Sequence, residues 1–331
     1  MKDFGILVPV VTPCDRSGKV DYDGLRSVCS DMIRAGCHGI FVLGSTGRSP
    51  WFSLQTRSRI CSEVAKMIET LRRDGRLDTS AGFHSGEGLR SDVALYAGCM
   101  ASGIEDILEN TRRMADAGAQ VAVVTAPVYF RYNQDEVASI FLTVADRSPL
   151  PVLVYDIPAF TGIKLDTAVI ARLANHENVV GLKDSSADIV GFRQLLELLE
   201  GESPFLLFQG KEHLLAESLL AGASGFVVSL IHIDPYPFVA LKQAARAGDV
   251  ESAHALQRTI AGVMELVESS FAQRPETSTL FHIINVALKQ RGVCDNILLA
   301  HEGDCPSWLA RKARQALSLC SEAHGLVEAR R

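Results

Sequence analysis

The stretch VVGLKDSS, Val179 to Ser186, is a strand-length apolar run that ends in a lysine followed by an aspartate. An ammonium at the edge of a hydrophobic layer is costly unless it is solvated, paired or put to use. Three other groups offer chemistry to such a lysine. Tyr129 is the penultimate residue of the apolar run VAVVTAPVYF, Tyr155 lies in PVLVYDIP, and Gly44-Ser45-Thr46-Gly47 is a hydroxyl-rich glycine turn at the end of GIFVLG. A pocketed lysine loses part of its preference for the ammonium form, and the free amine attacks a ketone to give an imine. The iminium is then an electron sink that lets a neighbouring C–C or C–O bond break, with a tyrosine phenol moving the protons. The backbone N–H groups and two hydroxyls of the glycine turn suit the carboxylate of a 2-oxo acid.

Each of these residues also has an ordinary reading. A lysine at a strand end is usually a solvated loop residue, the tyrosines would serve as packing groups at a rim, and a GSTG stretch is by itself a turn. The chemical reading rests on their combination, and so on elements that bring all four to one place.

Short apolar runs alternate with helical patterns along the chain: ILVPVVT (6–12), GIFVLG (39–44), VALYAG (93–98), QVAVVTAP (120–127), PVLVYDIP (151–158), NVVGLKD (178–184), FLLFQG (205–210) and SGFVVSL (224–230). Between them lie amphipathic segments such as YDGLRSVCSDMIRAG, IEDILENTRRMADAG and HLLAESLLAG, each closing on a glycine as a helix C-terminus prefers. Eight near-continuous apolar strands alternating with helices predict a parallel sheet closed into a (β/α)8 barrel, with the barrel assigned to residues 1–232. From residue 233 to 331 the pattern becomes helix upon helix, through VESAHALQRTIAGVMELVESS and TLFHIINVALKQRGV, and predicts a C-terminal helical extension packed on the barrel. The Gly-rich segment 72–92 is expected to be a long loop on the face away from the strand C-termini, with a structural role.

Composition narrows the partners. The 331 residues are 47% hydrophobic and carry 33 basic against 39 acidic side chains, with no stripe of Lys and Arg for nucleic acid or anionic lipid. The apolar runs are too short for a membrane span, and the N-terminus lacks the marks of a signal peptide, so a cytoplasmic protein with a small-molecule partner is expected. The eight cysteines are scattered, with no C-x-x-C pair and no histidine at ligand spacing, and are expected to be mainly reduced core residues. Neither a metal nor another cofactor is expected.

The same residues resemble a family. LVPVVTPCDRSGKVDYDGL, GSTG at 44–47, APVYF at 126–130, VYDIPAFTG at 154–162 and VVGLKDSS, in this order, resemble the pyruvate-dependent Schiff-base lyases of the dihydrodipicolinate synthase and N-acetylneuraminate lyase superfamily, and 28 residues separate Tyr155 from Lys183 as in that pattern. The resemblance implies a barrel whose Lys183 forms an imine with pyruvate, Tyr155 as acid/base relay, and Ser45 with Thr46 as carboxylate anchors. It further implies a tight dimer, usually paired into a tetramer, with Tyr129 donated across the interface. Val227, in the eighth strand run, joins these as a candidate substrate-binding residue.

Two departures bear on the substrate. Phe160 occupies the place where dihydrodipicolinate synthases typically carry an arginine for the aldehyde's carboxylate, and Arg48 follows the glycine turn where that family usually has glutamate. The resemblance is then nearer to the 2-keto-3-deoxy sugar acid aldolases of the superfamily, which implies retro-aldol cleavage to pyruvate and an aldehyde. Arg48 and Arg131 are either cations for an acidic substrate or surface residues. Ser185, Ser186, Thr161 and Asp184 are expected near the imine, facing hydroxyls of the acceptor. Dehydration of the 2-oxo acid, dihydrodipicolinate synthesis, a hydratase-aldolase reaction with an aromatic aldehyde, and a non-catalytic keto-acid-binding regulator stand as alternatives.

Overall fold

The computed structural model describes residues 4–74, 93–199, 204–272 and 276–328. Eight parallel strands pair in chain order and close between the first and last: β1 (Gly5–Pro9), β2 (Gly39–Val42), β3 (Ala94–Gly98), β4 (Val121–Thr125), β5 (Val152–Asp156), β6 (Val179–Asp184), β7 (Leu206–Gln209) and β8 (Gly225–Phe226). Each falls within or against an apolar run read from the sequence. Most are shorter than the run, because closing a barrel needs only a few paired residues per strand before the chain turns outward over the helices.

Helices α1 (Tyr22–Arg34), α2 (Leu54–Arg73), α3 (Ile104–Asp116) and α4 (Gln134–Arg147) cover the first four strands. The short α5 (Pro158–Thr161), α6 (Thr167–Ala174), α7 (Ile189–Leu198), α8 (Leu215–Leu220) and α9 (Tyr236–Arg246) complete the ring, with α8 after β7 and α9, packed on β1, in the place of the eighth helix. Local chemistry sets the helix ends. The Asp21, Asp188 and Asn133 side chains accept first-turn N–H groups, and Asn133 forms a capping box with Glu136. Gly36, Gly118 and Gly222, the glycines of the three AG endings, all have left-handed φ of 92–103°, the conformation a residue with a Cβ avoids.

Alternation along the strands separates two cores. Leu7, Phe41, Tyr96, Val123, Leu153 and Phe208 fill the barrel, while a larger cluster including Val8, Val42, Val124 and Leu182 lies between sheet and helices. Beyond the barrel, α10 (Val250–Glu268), α11 (Glu276–Gln290) and α12 (Ser307–Glu328) pack on one another, and α10 also packs on α8 and α9. No helix among the described residues is long and apolar enough to cross a membrane. Of the expected loop 72–92, Arg72 and Arg73 belong to the last turn of α2, and residues 75–92 lie outside the described residues.

Gly98, at the end of β3, touches the start of the glycine turn: a Cβ there would lie 1.9 Å from the Leu43 carbonyl oxygen. Gly98→Ala is therefore expected to force the backbone apart and to lower unfolding free energy by roughly 2 kcal/mol, the usual scale of overpacking. Chemical denaturation checks this, and an unchanged stability would show that the contact relaxes freely.

Candidate active site

Pairing between β5 and β6 sets the site. Val152 stands opposite Val179, the register then shifts by one residue, and Leu153 stands opposite Gly181, so that Tyr155 faces Lys183 and Asp156 faces Asp184. The bulge leaves Val180 as the extra residue. Gly181 follows where β6 and β7 run so close that a Cβ would sit 2.2 Å from the Leu206 carbonyl oxygen. Lys183 and Tyr155 point into the top of the barrel and are both buried. The Lys183 ammonium nitrogen lies 3.9 Å from the Tyr155 ring centroid and 5.4 Å from that of Phe41. Among the described residues no acid forms an ion pair with it.

The glycine turn comes to the same place. The Ser45 hydroxyl is 3.3 Å from the Tyr155 hydroxyl, and Thr46 Oγ1 is 2.7 Å from Ser229 Oγ. The turn is backbone-strained, with left-handed φ at Leu43 (62°) and Arg48 (55°), and Thr12 Oγ1 pins it by donating to the Gly47 carbonyl at 2.8 Å. Val227 is buried beside these groups on the wall of a cavity of about 760 Å³ that also contains Lys183, Tyr155, Ser45 and Thr46. Five of the six expected site residues thus meet in one chain. Tyr129 does not: it lies on the loop after β4, 79% exposed, edge-on to Phe130, and does not line this cavity.

The structure corrects several expectations. Arg48 is neither a surface group nor a free cation: it is buried, and its guanidinium pairs with Glu302 at 2.8 Å. Arg131 is exposed and donates to the Gly162 carbonyl. Of the four acceptor-facing candidates only Ser185 reaches the cavity. Thr161 spends its hydroxyl on the carbonyls of Ile157 and Ile163, while Asp184 accepts the Ser186 N–H and points outward beside Asp156. The reason is alternation: one position after Lys183 the side chain leaves the barrel.

Ser229 is a site residue that sequence reasoning missed, because it sits in an apolar run read as strand. All its polar groups are engaged. Its N–H donates to Glu212 Oε1 at 3.1 Å, and its carbonyl accepts from His232 Nδ1 at 2.9 Å. His232 Nε2 accepts the Val11 N–H, and burial pushes this imidazole down to about 4, so it is neutral with its proton on Nδ1. The cysteines are free, and burial pushes the Cys14 thiol up to about 11 and the Cys29 thiol to about 12, away from thiolate chemistry.

A closed (β/α)8 barrel with a buried lysine facing a tyrosine at the strand ends, beside a hydroxyl-bearing turn, defines a lyase of the Schiff-base type. The model of the dihydrodipicolinate synthetase family matches residues 2–71 and 86–299, and the chain belongs to that family. Its relatives include the 4-hydroxy-tetrahydrodipicolinate synthase of Methanospirillum hungatei, 31% identical over 251 residues, which are 75% of this chain and 78% of that one. Among solved structures, dihydrodipicolinate synthase from Bacteroides thetaiotaomicron superposes with a TM-score of 0.80 at 26% identity, covering 95% of this chain and 97% of that one. The Acinetobacter baumannii enzyme, solved with pyruvate, superposes with a TM-score of 0.80 at 23% identity over 96% and 98% of the two chains.

Behind the site, burial and the neighbouring Asp184 carboxylate push Asp156 up to about 7. A free aspartate ionises near 4, so the stability this group contributes is full below about pH 4 and is lost as pH rises through about 7. Asp156→Asn should remove that slope. Relative to the variant, the native chain is expected to lose on the order of a few kcal/mol of unfolding free energy between about pH 4 and pH 8. Parallel stability–pH profiles from chemical denaturation would count against a protonated Asp156.

Proposed function

We propose that this chain catalyses reversible aldol cleavage of a 2-oxo acid through an imine at Lys183, releasing pyruvate and an aldehyde. The observation that carries the reading is the pairing of Lys183 with Tyr155 at the strand ends, with Ser45 on the Tyr155 hydroxyl. The Lys183 amine adds to the C2 ketone and water leaves to give an iminium. Tyr155 gives its phenolic proton to that departing water, and the phenolate takes the C4 hydroxyl proton as the C3–C4 bond breaks, the aldehyde departs, and the electron pair is held as the enamine. Protonation at C3 and addition of water to the iminium return pyruvate and the free amine. Thr46 and the turn's N–H groups suit the carboxylate, and Val227 suits the methylene side. The neighbouring structure solved with pyruvate supports the product assignment. We place Tyr129 in the site of a second copy, in a dimer or tetramer, consistent with its exposure here.

As substrate we propose a 2-keto-3-deoxy sugar acid, whose acceptor half is a hydroxylated aldehyde. Arg48 is the one arginine among the described residues on the cavity wall, and Glu302 occupies it, so no bidentate clamp is left for the second carboxylate that dihydrodipicolinate synthesis would bring. Ser185, Lys211 and Thr277 line the cavity and offer groups for hydroxyls. A second reading, an aldehyde with an aromatic body, is favoured by the Trp51, Phe160, Phe271 and Phe281 rings on the outer wall.

Borohydride reduction with pyruvate present should add one pyruvyl adduct per chain by intact mass and none in Lys183→Ala. An adduct on the alanine variant would displace the assignment. Tyr155→Phe should keep adduct formation but lower turnover by about 10²–10⁴, the usual contribution of a positioned acid/base group. For the acceptor, kcat/KM for pyruvate condensation is expected to be higher with glyceraldehyde than with aspartate semialdehyde, and Phe160→Arg to move the ratio toward the semialdehyde. Preference for the semialdehyde in the native chain overturns the sugar-acid reading, and preference for benzaldehyde selects the aromatic one.

A further inference from the structure

Arg48 directly follows the glycine turn and is the place where three parts of the C-terminal extension converge. Its Nη1 donates to the Ile297 carbonyl at 2.7 Å, its Nη2 donates to Glu302 Oε1 at 2.8 Å, and the guanidinium lies over the Phe281 ring with Cζ 3.6 Å from the centroid. Glu302 is held in turn, since its Oε2 accepts the Leu299 N–H at 2.7 Å and its carbonyl accepts from His282 Nε2 at 3.1 Å. Three residues on, Trp51 stacks on His301 with ring centroids 4.6 Å apart and planes 14° apart. The segment after the turn is thus fastened to the 297–302 loop at two points. Arg48 holds a left-handed backbone conformation (φ 55°), which costs energy without a compensating contact. On its other side the turn has Thr46 bonded to Ser229.

We infer that Arg48 is a positioning residue: through Glu302 it ties the carboxylate turn to the C-terminal extension and so fixes Thr46 and Ser45 at the distance from Lys183 that a bound 2-oxo acid requires. The inference rests on the reading of Lys183 as the imine-forming residue. It differs from a direct role, in which the guanidinium itself holds substrate charge, in the sign of one effect. Freeing Arg48 from Glu302 would strengthen binding of an anionic substrate if Arg48 were its anchor, and weakens it if Arg48 is a tether. A merely structural ion pair would change melting temperature and leave pyruvate recognition alone.

The pyruvate concentration that half-saturates borohydride trapping separates these cases, measured with melting temperature on native chain, Glu302→Gln, Arg48→Lys and Arg48→Met/Glu302→Met. The double variant replaces the pair by two apolar side chains and leaves no buried charge unpaired. Its half-saturating pyruvate is expected to rise about tenfold or more, the scale of one charge-assisted hydrogen bond, while the adduct at saturation still reaches one per chain. Glu302→Gln and Arg48→Lys, each keeping part of the bonding, should fall between the double variant and the native chain, and they carry the test if the double variant does not fold. Unchanged half-saturation in folded variants overturns the tether, as does tighter binding in Glu302→Gln. Absence of an adduct in the native chain removes the Lys183 reading, and the tether's role in substrate positioning goes with it.

Discussion

The register between β5 and β6 is the constraint on which the site depends. Continued without interruption from Val152 opposite Val179, the pairing would set Tyr155 against Leu182 and Asp156 against Lys183, because strand side chains alternate with period two. The amine would then meet a carboxylate, and the tyrosine would face an aliphatic wall. The single extra residue at Val180 brings Lys183 beside Tyr155 inside the barrel and collects both aspartates on the outside. The bulge is affordable because Gly181 lets β6 approach β7 without a Cβ in the way. One backbone irregularity thus keeps Lys183 apart from the nearest acids. The burial and pairing that push Asp156 upward are the cost on the outer face.

The second constraint is the turn between β2 and α2, held in place by neighbours on every side. Left-handed residues bracket it, Thr12 pins its carbonyl, Gly98 admits it closely, and Arg48 bridges to residues some 250 positions further along. Breaking one partner of a buried ion pair typically costs about 3–5 kcal/mol, whereas the intact pair contributes little net stability. A pair of this kind is therefore better explained by where it holds the turn than by how much it stabilises the fold. The C-terminal extension in this view completes the active site's wall as well as covering the barrel, since Phe281 reaches the cavity from α11 and Phe271 from the turn after α10.

What could be read from the sequence follows the range of each interaction. Strand order, the AG helix ends and the inward lysine and tyrosine were legible because they depend on local pattern, composition and alternation. Sequence proximity alone puts Thr161 and Asp184 near Lys183, but period-two alternation turns Asp184 away and α5 turns the Thr161 hydroxyl onto its own backbone. Ser229, 183 residues from Thr46, and Glu302, 254 residues from Arg48, carried no signal, because a polar residue in an apolar run and a glutamate in a polar loop are both unremarkable until the fold closes. Arg48 stood out only as a departure, and its partner could not be named. Tyr129 remains outside the cavity within one chain.

The division between strand ends and wall also decides how far the relatives' names carry. Lys183, Tyr155, Ser45 and Thr46 lie within the residues matched by the family, on strands and turns whose geometry the barrel imposes. The groups that would meet the aldehyde also fall within the matched range but stand off the strands: Trp51 in a 3-10 turn, Phe160 in α5, Phe271 and Phe281 in the extension. Glu302, which occupies the only arginine among the described residues lining the cavity, stands just beyond the matched range that ends at residue 299. A shared reaction core therefore constrains the acceptor weakly. At 31% identity a relative can share the imine and differ in the aldehyde, because the outer wall is set by side chains that neither the barrel nor its strand-end chemistry requires.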